Sequence, residues 1–139
     1  MAVELADTSA WTSRRRDPAV SEEFERQLEA GEIVTCAMVK LELLWETQDA
    51  TGFRRRRRLL DALDDIAIDE RVWERATDVF ERLGADRPLH HRRVKLPDLL
   101  IAAAAELAEV PVCHYDRDFE LIAAVTGQPV RAIAPLGSL

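Results

Sequence analysis

The sequence has 139 residues, is 47% hydrophobic and carries a net charge of −7, which excludes a disordered chain and argues against general binding of polyanions. Its apolar runs are shorter than the roughly 18 residues of a membrane span, and its short acidic N-terminus is unlike a signal peptide. Cys36 and Cys113 lie far apart, so we expect reduced core cysteines in a cytoplasmic protein rather than a disulfide or zinc site.

Short apolar runs alternate with helical patterns along the chain. Strands are expected at 2–6, 32–36, 66–68, 111–115 and 130–134. Helices are expected at 18–30, 37–48, 53–63, 70–85, 97–109 and 118–127. The alternation predicts an α/β fold with a parallel sheet of about five short strands, flanked by helices on both faces. We expect residues 1–139 to form a single domain.

Four carboxylates stand at predicted element ends or on an inner helix face. Asp7 ends the first strand and Asp116 ends the fourth, so both project from the edge where parallel strands finish. Glu42 lies early in the helix after the second strand and can reach the same edge. Asp98 is the second residue of its helix if Pro97 is the first. It can join the other acids only if the chain before this helix returns to the same edge of the sheet. The four acids would then share one pocket.

Clustered carboxylates repel one another, and at least one pKa should rise unless a cation joins them. Mg²⁺ and Mn²⁺ prefer oxygen ligands, so the pattern indicates a site for one of these ions, with Asp118 in support. Each acid also has a simpler role as a helix cap, a turn residue or a partner of a helix dipole. We favour the metal site because all four acids fall within one βα framework.

Four segments together resemble a known family. They are "ADTSAW", the glutamate of "VKLELLW", "KLPDLLIAAAA" and "VCHYDRDFELIA". In order and spacing they are similar to PIN-domain ribonucleases, and more narrowly to the VapC toxins of type II toxin–antitoxin pairs. The resemblance runs along nearly the whole chain. It implies a PIN-like fold, a Mg²⁺- or Mn²⁺-dependent endoribonuclease that hydrolyses RNA phosphodiester bonds, homodimers, and inhibition by a VapB-like antitoxin in a hetero-oligomer.

The resemblance also implies a role for individual residues. The implied catalytic acids are Asp7, Glu42, Asp98 and Asp116. The implied metal ligands are Asp7, Asp98 and Asp116. Ser9 matches a hydroxyl position that helps to order the site, and Asp118 matches a further acid. His114 departs from the family, which commonly has Thr or Ser there, and we expect this histidine to be structural.

Basic residues form local clusters within this acidic protein. Those expected to contact RNA phosphates or an antitoxin are Arg14, Arg15, Arg16, Arg92, Arg93 and Lys95. The arginine run 54–58 fits either RNA or an acidic antitoxin segment. A solvated helix face is the simpler explanation of such runs.

Other functions remain open at this stage. One is a PIN-family RNA-processing nuclease that is not a toxin. Another is a non-catalytic interaction module whose acids only cap helices. A phosphatase of the haloacid-dehalogenase type is disfavoured because Glu120 stands where that family has a small Thr or Val. A calcium loop from Asp116 is disfavoured because Leu121 stands where an EF-hand needs glycine.

Overall fold

The computed structural model describes residues 2–86 and 89–139, and these residues form a five-stranded sheet with seven α-helices. The strands are β1 (Glu4–Ala6), β2 (Ile33–Cys36), β3 (Asp65–Ile66), β4 (Val112–His114) and β5 (Val130–Ala132). Their order across the sheet is β3-β2-β1-β4-β5, and every pairing is parallel. The predicted parallel α/β fold is confirmed.

The helices follow the predicted alternation. They are α1 (Thr8–Ser13), α2 (Pro18–Glu29), α3 (Ala37–Trp45), α4 (Ala50–Asp61), α5 (Glu70–Asp86), α6 (Leu96–Leu107) and α7 (Arg117–Thr126). Short 3₁₀ turns cover Arg14–Arg16 and His90–Arg93. Within the described ranges, no helix has both the length and the apolar character needed to cross a membrane.

Helix α6 lies at the centre of the hydrophobic core. All of its residues from Asp98 to Ala105 are buried, which explains why this segment is apolar on every side. The run of small alanines allows neighbouring elements to approach the helix closely. Complete burial of Ile101 alone stabilises the fold by roughly 1.5–3 kcal/mol. Because Asp98 belongs to the first turn of this buried helix, its carboxylate is carried into the interior.

Most element bounds differ from the expected ones by one to three residues, and three further details are of note. Helix α1 was not predicted, since six residues are too few to show a clear helical period. Helix α6 begins at Leu96, so Asp98 is its third residue rather than its second. Strand β3 is shorter than predicted and comprises only Asp65–Ile66. None of these differences changes the order of the elements.

Candidate metal centre

The site forms where β1 and β4 end side by side in the middle of the sheet. Asp7 follows β1 directly, and its backbone N–H donates to the carbonyl of Cys113 in β4 over 2.9 Å. Asp116 follows β4 and caps helix α7, because its Oδ1 accepts from the backbone N–H of Asp118 at 2.8 Å. Both residues therefore lie at the edge of the sheet where the strands finish, as the topology predicts.

Three carboxylates come together beside this edge. Asp98, Asp116 and Asp118 each offer an oxygen atom, and these atoms lie within 4.8 Å of one another. The backbone N–H of Lys95 donates to Asp118 Oδ2 at 3.0 Å, which ties the start of α6 to the start of α7. This contact places the N-terminus of α6 at the predicted edge. The cluster shares Asp98 and Asp116 with the predicted metal ligands. Its third member is Asp118, whereas the third predicted ligand is Asp7.

Asp7 is held on one side and free on the other. Its Oδ2 accepts hydrogen bonds from the backbone N–H of Ser9 at 2.9 Å and from the Ser9 hydroxyl at 2.6 Å. The same hydroxyl oxygen accepts from the Tyr115 N–H at 2.9 Å, so Ser9 links the ends of β1 and β4. Asp7 Oδ1 is buried and has no hydrogen-bond partner among the described residues.

Glu42 reaches the site from α3. Its Oε1 accepts a hydrogen bond from the Thr8 hydroxyl at 2.8 Å, and Thr8 is the first residue of α1. Thr8 is not one of the predicted site residues, although it stands between two that are, Asp7 and Ser9. The half-buried glutamate lies close enough to Asp7 for its charge to contribute to the raised pKa of that aspartate.

Burial makes ionisation of these acids costly. It raises the pKa of Asp7 to about 6, and the hydrogen bonds from Ser9 oppose part of this effect. Burial also raises the pKa of Asp98, and the charge of Asp7 and a hydrogen bond with Asp118 add to the rise. Asp98 Oδ2 is buried without a hydrogen-bond partner in the described part of the chain. A divalent cation would satisfy these oxygens, and an all-oxygen set fits a hard ion.

Lys95 brings a positive charge into the cluster. Its Nζ lies 2.7 Å from Asp116 Oδ2, 3.4 Å from Asp118 Oδ2 and 3.7 Å from Asp98 Oδ2. Burial acts to lower the pKa of Lys95, but the hydrogen bond to Asp116 and the three negative charges raise it overall. Lys95 was predicted as a contact for RNA or antitoxin, and in the structure its ammonium group contacts the acids.

The remaining predicted basic contacts fall into two groups. Arg14 pairs with Glu25 at 2.7 Å, and its guanidinium carbon lies 4.7 Å from the ring centre of Phe24. Its side chain is only 13% exposed, so Arg14 serves packing between α1 and α2. The others are exposed, and they are Arg15, Arg16, Arg92 and Arg93.

His114 is fully buried at the end of β4 and takes part in the order of the site. Its Nδ1 accepts from the backbone N–H of Asp116 at 3.0 Å, and its Nε2 lies 3.1 Å from Glu120 Oε1. Burial lowers the pKa of His114 against the opposing charge of Glu120. The neutral ring therefore carries its proton on Nε2, where it can donate to Glu120. This arrangement agrees with the structural role expected for His114.

Comparison with known proteins shows which family the chain belongs to. The family model described as PIN domain matches residues 5–125. Ribonuclease VapC18 of Mycobacterium tuberculosis is 41% identical over 137 residues, which is 99% of each chain. Ribonuclease VapC51 of the same species is 41% identical over 135 residues, covering 97% of this chain and 96% of the relative.

Solved structures show the same fold at lower identity. VapBC2 from Rickettsia felis, bound to a promoter DNA fragment, superposes with a TM-score of 0.72 at 12% identity and covers 94% of this chain and 98% of that one. A toxin–antitoxin complex from Klebsiella pneumoniae gives a TM-score of 0.69 at 20% identity with the same coverage. The match of the family model and the identity to curated relatives along nearly the full chain lead to one conclusion. The chain belongs to the PIN domain family, and within it to the VapC ribonucleases.

Proposed function

We propose that this protein is the toxin of a type II toxin–antitoxin pair, an endoribonuclease that hydrolyses RNA phosphodiester bonds with a divalent metal. The observations that carry this proposal are the cluster of Asp98, Asp116 and Asp118 and the buried oxygens Asp7 Oδ1 and Asp98 Oδ2, which have no hydrogen-bond partner among the described residues. Membership of the VapC ribonucleases supports the choice of RNA as substrate. We further propose one domain over residues 1–139 that acts in the cytoplasm.

We assign the metal ligands to Asp7, Asp98 and Asp116. Asp98 and Asp116 already have oxygen atoms close together, and the unpartnered Oδ1 of Asp7 leaves that acid able to bind an ion. Asp118 supports the site through the hydrogen bonds that join α6 and α7. Ser9 orients Asp7, and Glu42 completes the acidic surroundings through Thr8.

We propose Mg²⁺ or Mn²⁺ as the ion, because both bind carboxylate oxygens and tolerate several water ligands. When bound, such an ion acidifies a water molecule and neutralises charge on the scissile phosphate. The protein's own part is to hold the acids in fixed orientations. Ser9 does this at Asp7, and the His114 ring does it at Asp116 through the backbone N–H. Glu42 is in a position to accept a proton near the ionised acids.

A non-catalytic interaction module explains only part of the site. Asp7 and Asp116 do cap α1 and α7, as that alternative requires. Asp98, however, makes no capping hydrogen bond for α6 and keeps a buried oxygen without a partner in the described part of the chain. Burying an oxygen without a hydrogen bond costs stability, and the Lys95 ammonium group 3.7 Å away offsets only part of this cost, since the pKa of Asp98 is still raised, which favours a functional role.

We propose a VapB-like antitoxin as the protein partner, with homodimers and a toxin–antitoxin hetero-oligomer as the assemblies. Two solved structures with this fold are described as VapBC complexes, from Rickettsia felis and Salmonella typhimurium. A groove of about 440 Å³ beside Glu42 is lined by Met38, Leu41 and Trp45. Leu41 is 63% and Trp45 87% exposed, which is the character of a surface that a partner covers. A PIN nuclease that is not a toxin would lack this antitoxin.

The central test is the Asp98→Asn variant. It keeps the shape of the side chain but removes its charge, so we expect Mg²⁺-dependent RNA cleavage to fall by at least about 100-fold. The measurement is the rate of cleavage of a labelled RNA by nuclease-free preparations, with thermal unfolding to verify the fold. Chelation should stop wild-type cleavage, and Mn²⁺ should restore it.

Asp64→Asn is the matched control. It makes the same chemical change at an exposed aspartate beside β3, the far edge strand, and should leave the rate unchanged. Full activity of Asp98→Asn, or cleavage that persists in chelator, would contradict the proposed mechanism.

A further inference from the structure

Lys95 is placed differently from every other basic residue of the predicted contact set. Its Nζ is within 3.7 Å of an oxygen of each of the three clustered acids, and it is nearest to Asp116. The lysine stands directly before α6, and its own backbone N–H is bonded to Asp118. Main chain and side chain of one residue therefore both bind the acid cluster.

The ammonium group is suited to this position by its chemistry. Lysine presents a compact point charge on a flexible stem, and it can approach several carboxylates at once. A Mg²⁺ ion bonds oxygen at about 2.1 Å, so it needs the same space between the same oxygens. The Lys95 side chain is 63% exposed, so its stem can swing into solvent without repacking of the core.

We propose that Lys95 is a tethered competitor of the divalent metal, an internal cation that must leave Asp98 and Asp116 before the metal binds these two proposed ligands. The inference rests on the metal site proposed above. Two consequences follow. The acids are kept in register when no metal is bound, and the affinity for metal is lower than the carboxylates alone would give.

The test is direct measurement of Mn²⁺ affinity on the full chain, by calorimetry or by the paramagnetic resonance signal of free Mn²⁺. Lys95→Met keeps the length of the stem and removes the charge. We expect this variant to bind Mn²⁺ at least about tenfold more tightly than wild type, because the metal no longer has to displace an ammonium group that lies within 3.7 Å of an oxygen of each of the three acids.

Two controls separate competition from a general change of charge. Lys40→Met alters the other lysine of the sequence, which pairs with Asp61 and Asp65 away from the site. Arg117→Gln removes an exposed charge next to Asp116 on the chain. Each control should change the Mn²⁺ affinity by less than about threefold, because Lys40 pairs with other acids and the exposed Arg117 is screened by solvent and salt.

Unchanged or weaker Mn²⁺ binding by Lys95→Met would overturn the inference, and so would equal tightening by Arg117→Gln. If Lys95→Met unfolds without metal, Mn²⁺ is titrated while the helical circular dichroism is followed. Recovery of the fold supports competition, and failure to recover contradicts it. A wild-type protein that binds no Mn²⁺ would instead count against the proposed metal site itself, so the two failures are distinguishable.

Discussion

Asp7 shows how a single buried carboxylate links stability to function. Its side chain is almost completely buried, one oxygen is bonded to Ser9, and the other has no hydrogen-bond partner within the described ranges. A carboxylate in this setting is costly to ionise without a cation. A residue that is selected only for stability would not keep this arrangement.

This cost predicts a pH dependence that the Asp7→Asn variant should remove. The pKa of Asp7 is about 6 in the fold against 3.8 for the ordinary group. Between these values the folded state binds more protons than the unfolded state, so the free energy of unfolding falls as the pH rises through the window. The loss amounts to about 3 kcal/mol by neutral pH. The free energy of unfolding of Asp7→Asn, relative to that of wild type, should therefore increase from about pH 4 to about pH 7.

The measurement is urea unfolding in chelator at several pH values, followed by circular dichroism. Asp64→Asn makes the same chemical change at an exposed position and is the control for the substitution itself. A difference between Asp7→Asn and wild type that does not vary with pH would show that burial of this charge costs nothing.

At the scale of elements, the arginines of the run 54–58 in helix α4 have different surroundings. Arg56 donates from its guanidinium to the carbonyl of Leu43 at 2.6 Å and lies 3.5 Å from Glu46. Leu43 is in the last turn of α3, where backbone carbonyls lack helical partners. Arg56 therefore fastens α4 to the end of α3, while Arg54, Arg55 and Arg58 stay exposed.

We expect Arg56→Ala to lower the free energy of unfolding by about 1.5–3 kcal/mol, the usual worth of a hydrogen bond from a charged donor. Arg58→Ala is the matched control, since it makes the same change at an exposed arginine of the same helix. It should change the free energy of unfolding by less than about 0.5 kcal/mol. Urea unfolding of both variants at one pH decides the matter. Equal effects of the two substitutions would mean that the contact to Leu43 carries no net stability.

The order of the predicted elements agrees with the structure because every strand and every helix except α1 has a local signal. Helix α2 shows a proline near its start, and α6 shows a long apolar run after Pro97. Helix α1 was missed because its six residues are held by the Asp7 cap and by packing rather than by a periodic pattern. Helix ends were also imprecise, since they depend on hydrogen bonds that a sequence does not display.

At the scale of the whole molecule, an acidic protein must bind an acidic polymer. The net charge of −7 opposes RNA at long range, so local arginines have to provide the attraction. Arg14 packs against Phe24 and pairs with Glu25, and Lys95 contacts the acids. The exposed pairs Arg15–Arg16 and Arg92–Arg93 are the remaining members of the predicted set.

We therefore expect each double Arg→Gln substitution at these pairs to reduce the salt dependence of RNA binding. Each phosphate contact on single-stranded nucleic acid contributes about 0.7 to the logarithmic slope, so two lost contacts reduce the slope by about 1.4. Binding is measured on the Asp98→Asn background between roughly 50 and 300 mM salt, so that the RNA remains intact.

A control double substitution uses Arg26 and Arg71, which are exposed but already paired with Glu23 and Asp69. Their replacement by Gln should leave the slope unchanged. If the control and the test pairs reduce the slope equally, binding follows net charge alone and no local RNA surface exists.

The sequence by itself determined the order of strands and helices, the parallel sheet and the acids to consider, because these depend on local patterns and on motifs with their own spacing. The metal-site hypothesis required the start of α6 to lie near the end of β4, but no local pattern predicted this. The tertiary structure shows the two close together, because the backbone N–H of Lys95 donates to Asp118. Folding also decided which acids cluster and which cation contacts them. Such contacts join residues far apart on the chain, and their distances depend on packing that no local pattern encodes.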